Sequence, residues 1–194
     1  MGYSEILRQQ ISIAHGSEAA NSFFEHPLRE FDSVRRAVTE LMAIMPPMVG
    51  ACAMMSATLG AHLQDEYNIP AVIVVGDLKI QGKKIFDYKK PIPFDSDGTP
   101  NLKKWSGHCW VGIDEWIIDV SIFRTAYLLG AQSVLGRFVV ENFGEKRGAL
   151  LASHGELASK EMEYIPRAVL RGRQINNLVS GFGYMVEKNL KNSE

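Results

Sequence analysis

Several signals that would assign this chain to a class at once are missing from it. It holds only two cysteines, Cys52 and Cys109, too few for a disulfide framework and in keeping with a reducing compartment. No apolar run approaches the roughly 18 residues of a membrane span. The opening Met1-Gly-Tyr-Ser-Glu-Ile-Leu-Arg8 lacks a charged segment followed by an apolar core, so it carries no ordinary secretion signal. A cytoplasmic location is expected, with secretion as an effector by a signal-independent route left open. Charge of one sign is also missing: 21 Lys and Arg against 22 Asp and Glu leave a net charge of −1. With no basic block, neither nucleic acid nor an anionic membrane is an expected partner. No internal repeat and no break in composition divides the chain.

What is present is ordinary globular material. The 194 residues, 46% hydrophobic and 22% charged, suffice for a substantial core in one domain. Helical spacing predicts a helix over residues 4–15, with Ser4 as its cap and Gly16 as its stop, and a continuation over 18–24. A second stripe, Val34, Ala37, Val38, Leu41, Met42 and Met45, predicts a helix over 32–45 that Pro46-Pro47 ends. The methionines 42, 45, 48, 54 and 55 read as irregular core filling. Residues 50–66 form a helix lined with small side chains (Ala51, Ala53, Ser56, Ala57, Gly60, Ala61), as expected of a buried central helix. Ala71–Val75 reads as a buried strand and Gly76-Asp77 as a bulge or strand end. Residues 83–105 read as a long polar loop with a short strand near 85–88, able to form a wall or lid of a cleft. Residues 125–140 are expected to be helical in part, 141–148 a turn, 162–169 a strand kept to an edge by Pro166, and the chain to end in a helix. His15, His26, His62 and His154 lack matching partners and are expected at the surface.

The most informative stretch is Gly107-His-Cys-Trp-Val-Gly-Ile-Asp-Glu-Trp-Ile-Ile-Asp-Val-Ser121. Two apolar runs flank Asp114-Glu115, which predicts a hairpin with Ile113 opposite Trp116. Strand alternation then puts His108, Trp110, Asp119 and Ser121 on one face, and Cys109, Val111, Ile118 and Val120 on the other. His108 and Asp119 become diagonal neighbours within side-chain reach, the geometry in which a carboxylate fixes an imidazole's tautomer. Cys52 falls in the first turn of its helix, where unpaired N–H groups and the helix dipole favour an anion. A thiol, an imidazole and a carboxylate so arranged are the three parts of a thiol triad, and the 108/110/119/121 face is expected to look onto the start of the Cys52 helix. Cys109 points the other way and reads as core, so a metal site built on Cys52, His108, Cys109 and Asp119 is not expected.

The order Cys52, His108, Asp119 resembles the transglutaminase-like branch of the papain-like superfamily. Gly50-Ala-Cys-Ala-Met-Met-Ser-Ala-Thr-Leu59 resembles its cysteine helix, and Tyr67-Asn-Ile-Pro-Ala-Val-Ile-Val-Val-Gly76 its following strand entry. His108-Cys-Trp-Val111 and Trp116-Ile-Ile-Asp-Val-Ser121 resemble its histidine and aspartate strands, so the likeness covers roughly residues 50–122. It implies an α+β fold in which a buried Cys-bearing helix packs on an antiparallel sheet. With the flanking elements read from periodicity, one domain is expected: helices over 1–45, a catalytic core over 46–122 and a helix-and-strand part over 123–194. The resemblance further implies Cys52 as nucleophile, His108 as base and Asp119 as orienting acid, acting on an amide, peptide or related acyl bond through a thioester, with no cofactor and no metal. The substrate would be a protein, a peptide or a small amide. Ala53 departs from the Trp or hydroxyl residue the family often has after the cysteine, and Val120-Ser121 from its Pro-Thr. Asp-Val-Ser is similar to the arylamine N-acetyltransferases, but their Arg-Gly-Gly-x-Cys-x-Glu signature is absent, which argues against acetyl-CoA chemistry. A binding module on the same fold, without turnover, is the alternative from another class.

Overall fold

The computed structural model describes residues 2–45 and 50–191. An antiparallel sheet lies between two layers of helices, an α+β arrangement in which each sheet face is buried by helices. Helices α1 (Tyr3–His15), α2 (Ser17–Glu25) and α3 (Phe31–Ile44) come first, and α4 (Cys52–Tyr67) follows. Strands β1 (Val72–Ile80) and β2 (Lys83–Phe86) form a hairpin, and β3 (His108–Ile113) and β4 (Trp116–Asp119) form another. Then come α5 (Ile122–Leu129), α6 (Val134–Phe143), β5 (Leu150–Ser153), α7 (His154–Ser159), β6 (Met162–Val169) and α8 (Gly172–Lys191). No described helix is long and apolar enough to cross a membrane.

Strand β1 organises the sheet. Along one edge it pairs with β6 from Val74 to Ile80; along the other it pairs first with β3, Val72 to Gly76, and then with β2, Leu78 to Ile80. β2 and β3 therefore share an edge of β1, end to end, with Phe86 opposite Leu78 and His108 opposite Gly76. The segment 87–107 leaves the sheet at one of these ends and returns at the other. Asp87 N–H donates to Ser106 O and Ser106 Oγ to Asp87 O, which ties its base. Its far side reaches the helices: a side chain added at Gly181 in α8 would meet both Pro100 and Met54 of α4. The polar loop read from the sequence is thus an excursion that starts beside His108 and meets α8 at Gly181, which Met54 of α4 also flanks.

The buried carboxylate of Asp77, 1% exposed, anchors the same region. It accepts from Arg167 Nε at 2.9 Å and from a terminal guanidinium nitrogen at 2.7 Å, and from Tyr88 N–H at 2.7 Å. A carboxylate removed from water needs such donors. Gly76-Asp77 lies beside a bulge in the β1–β6 ladder, where Pro166, which has no N–H to donate, stands opposite Gly76.

The first, third and last helices are where helical spacing puts them, as are the Cys-bearing helix and the strand over 162–169 at the sheet's edge. Four details differ. α1 is capped at Gly2 without a side-chain bond, so Ser4 lies inside its first turn. β1 runs on past Val75 to Ile80 and turns back through Gln81 and Gly82, both at positive φ as a tight hairpin requires. The stretch 125–140, expected to be helical in part, belongs to two helices that reach beyond it at both ends, with a break between Leu129 and Val134. β5 and α7 add to the expected elements, with Ser153-His-Gly-Glu156 as the capping box that starts α7. Pro46, Pro47 and Met48 lie outside the described residues. Met45, Met54 and Met55 are buried, while Met42 packs against the core's rim. Of the four other histidines, His15 and His26 are exposed; His62 bonds Glu40 and His154 stacks on Tyr3, both half-buried.

Candidate active site

The β3–β4 hairpin turns at Asp114-Glu115 with Ile113 opposite Trp116, Gly112 opposite Ile117 and Val111 opposite Ile118, the register expected from the sequence. Asp114 takes the positive φ that such a turn requires, which aspartate tolerates. This register brings His108 and Asp119 together: the Nε2–Oδ2 distance is 2.5 Å, with the side chains 1% and 0% exposed.

Five donors converge on the Asp119 carboxylate. Oδ1 accepts from Ser121 N–H, Ser121 Oγ and Ile122 N–H, each at 2.9 Å. Oδ2 accepts from His108 Nε2 and from Tyr164 Oη at 2.8 Å. The backbone donors arise because β4 ends at Asp119 and α5 begins at Ile122, so Asp119 sits just ahead of that helix. Burial pushes the carboxyl up, but the His108 charge and these bonds outweigh it and hold Asp119 below its usual range. For His108, burial opposes the charged ring; the Asp119 charge and hydrogen bond override it, with a smaller contribution from Cys52, and its pKa is pushed up to about 10.

The imidazole is boxed by aromatic rings. Phe86 stacks on it, with centroids 4.6 Å apart, because β2 ends where β3 begins along β1. Trp110 and Tyr164 stand 6.3 and 6.0 Å away. Behind them Trp110 Nε1 donates to Tyr3 Oη, at 3.1 Å. With Nε2 committed to Asp119, the ring has one nitrogen left. Nδ1 is buried and no described group meets it with hydrogen-bond geometry. The thiol near enough to act on the ring is that of Cys52, which helps to raise its pKa.

Cys52 is the first residue of α4, follows Ala51 with no side-chain cap, and at 9% exposure is the most accessible of the three. The first N–H groups of α4 therefore have no side-chain acceptor at the cap and point where an anion would sit. One part of the expectation is overturned. The 108/110/119 face does not look onto α4: Trp110 and Ile117 pack with α1, α2, α5 and α6, while α4 covers Cys109, Val111 and Ile118 on the opposite face. Ser56 Oγ, one turn after Cys52, donates to Cys109 O at 3.0 Å and fixes that packing. Cys52 reaches His108 because the start of a helix meets the start of a strand. Cys109 is fully buried, a core residue as read, and burial raises its thiol. Tyr164 and Phe86 were not foreseen.

The ion pair fixes a stability profile. Asp119, lowered below its ordinary 3.8, contributes stability that is present above about pH 4 and lost as pH falls through its folded value. His108, raised above its ordinary 6.5, contributes stability that is complete below pH 6.5 and lost as pH rises through about 10. These are two ends of one interaction. The urea midpoint of the wild type relative to a His108→Gln variant should be highest between about pH 4 and 6.5 and converge with it by about pH 10; a difference constant with pH would contradict the pair.

Compared with protein-family models, curated proteins and solved structures, the chain matches none.

Proposed function

We propose that the protein is a transglutaminase-like thiol enzyme, a hydrolase or acyltransferase in which Cys52, His108 and Asp119 act on an amide or related acyl bond. The observation that carries this reading is the commitment of His108 Nε2 to a fully bonded, buried Asp119 while Nδ1 is kept unpaired beside a cysteine at a helix start. A histidine serving only packing would have both nitrogens satisfied or exposed.

The chemistry follows from these atoms. The Cys52 thiolate attacks the acyl carbon; the C–S bond forms as the carbonyl π pair moves onto oxygen. The oxyanion faces the first N–H groups of α4, with the Cys52 N–H as one donor. His108, protonated and held so by Asp119, gives its Nδ1 proton to the leaving amine as the C–N bond breaks and the carbonyl re-forms. Water or a second amine then attacks the thioester, giving its proton to Nδ1, and the thiolate leaves. Hydrolysis and acyl transfer differ only in that acceptor. The 87–107 segment, based beside His108 and meeting α8 at Gly181, supports a role as one wall of the substrate cleft.

Alkylation of Cys52 against pH tests the reading. An imidazole-paired thiolate predicts fast iodoacetamide labelling well below about pH 8, slowed on the order of 100-fold at pH 6 by His108→Ala. Slow labelling that ignores His108 would sink it.

A further inference from the structure

Resting on the triad reading, the geometry points to Tyr164 as a positioning residue: its hydroxyl holds Asp119 Oδ2 and limits how strongly that oxygen draws the His108 proton. Among the described residues Oδ2 carries two donors, His108 Nε2 and Tyr164 Oη, the latter at 2.8 Å. The other oxygen is saturated by Ser121 and Ile122. Tyr164 is therefore the donor that acts directly on the oxygen facing the imidazole, besides the imidazole itself. Tyr164 is 2% exposed, its ring is tilted against His108 at 6.0 Å and edge-on to Trp110 at 5.1 Å, so the hydroxyl has no freedom to turn to solvent.

The residue arrives from far away. It stands on β6, opposite Leu78 of β1, across the strand whose other edge carries Phe86 and His108. A phenol left unbonded there would be a buried unsatisfied polar group, so its bond to Asp119 also stabilises the fold. A merely structural tyrosine and a positioning one make different predictions. A short imidazole–carboxylate bond shares its proton according to the relative basicity of the two ends. A second donor on Oδ2 lowers that end, keeps the proton on Nε2 and leaves the ring charged, ready to serve the leaving group from Nδ1. Without it, the proton moves toward Asp119 and the imidazolium weakens as an acid.

The test is proton NMR of the His108 Nε2–H in a Cys52→Ala background, where thiol chemistry plays no part. In Tyr164→Phe that low-field resonance should move further downfield, because Oδ2 becomes the stronger acceptor. With 3-fluorotyrosine at 164, a stronger donor of nearly unchanged shape, it should move upfield. This second variant keeps the test open if phenylalanine impairs folding. Opposite shifts support the role; a resonance unmoved in the fluorotyrosine protein overturns it. If labelling ignores His108 but the resonance still shifts, the catalytic reading fails while Tyr164 retains its action on the pair.

Discussion

Asp119→Asn is expected to bring Cys52 labelling at pH 6 down by on the order of 100-fold, toward an ordinary thiol, of which under about 1% is ionised at that pH. The argument is one of donors. Five hydrogens point at the two oxygens of Asp119, from His108, Tyr164, Ser121 twice and Ile122. An asparagine brings two further hydrogens and one acceptor oxygen. Turned so that its oxygen meets Ser121 and Ile122, it presents NH2 to the ring, and His108 must accept at Nε2. The neutral ring then carries its one proton on Nδ1, so it cannot take up the thiol's proton and become the imidazolium that holds the thiolate. The same change in a serine triad costs about 10⁴ in turnover through the wrong tautomer, with the geometry intact. Here the labelling ratio is smaller because it reads only the thiolate fraction and its intrinsic reactivity. Breaking a buried ion pair also costs roughly 3–5 kcal/mol of stability, so the assay belongs at low temperature beside a circular-dichroism check of the fold. A native Asp119→Asn protein that labels at the wild-type rate would contradict the triad. His108→Gln should label as slowly, and the double variant no more slowly than either, since the groups act as a unit.

How far these residues could be read without coordinates follows from the range of the forces that place them. The hairpin was legible because two-residue turns and strict alternation are local: Asp114-Glu115 fixes the register, and the register fixes His108 against Asp119. Cys52 was legible because a helix start is local too. The face of the hairpin that α4 covers was not. When helices bury both faces of a sheet, alternation separates the two sets of side chains without saying which helix takes which set. Tyr164 and Phe86 enter the site through β1, which holds β6 on one edge and β2 end to end with β3 on the other. That pairing joins residues 90 and more positions apart, as Asp77 and Arg167 are, and leaves no periodic trace. The donors Ser121 and Ile122 lay within reach of inspection: a carboxylate just ahead of a helix attracts its first N–H groups. The family resemblance read over 50–122 names only three residues, whereas the site the chain builds for them draws on β2, β6 and α5 as well.

Gly76→Ala should then damage the site without touching any of its polar atoms. Gly76 stands opposite His108 in β3 and opposite Pro166 in β6. A Cβ there would lie 2.0 Å from Ile165 O and 2.9 Å from the Trp110 ring. The first contact is with backbone, which cannot swing aside as a side-chain tip would, so β6 must separate from β1 or β1 must shift against β3. Overpacking of this kind costs about 3 kcal/mol or more, a large part of the stability of a single domain. The direction of the strain matters as much as its size. Moving β6 carries Tyr164 away from Asp119; moving Trp110 disturbs the ring that stands beside His108 and bonds Tyr3. Gly60→Ala is the control, since its Cβ would meet only the flexible end of Ile73, 2.3 Å away, far from the pair. Urea unfolding should therefore rank Gly76→Ala well below Gly60→Ala, and at temperatures where both are folded only Gly76→Ala should slow Cys52 alkylation. Equal stabilities, or equal labelling, would mean that β1 accommodates the methyl and that the spacing of β6, β1 and β3 does not hold the imidazole and the carboxylate in place.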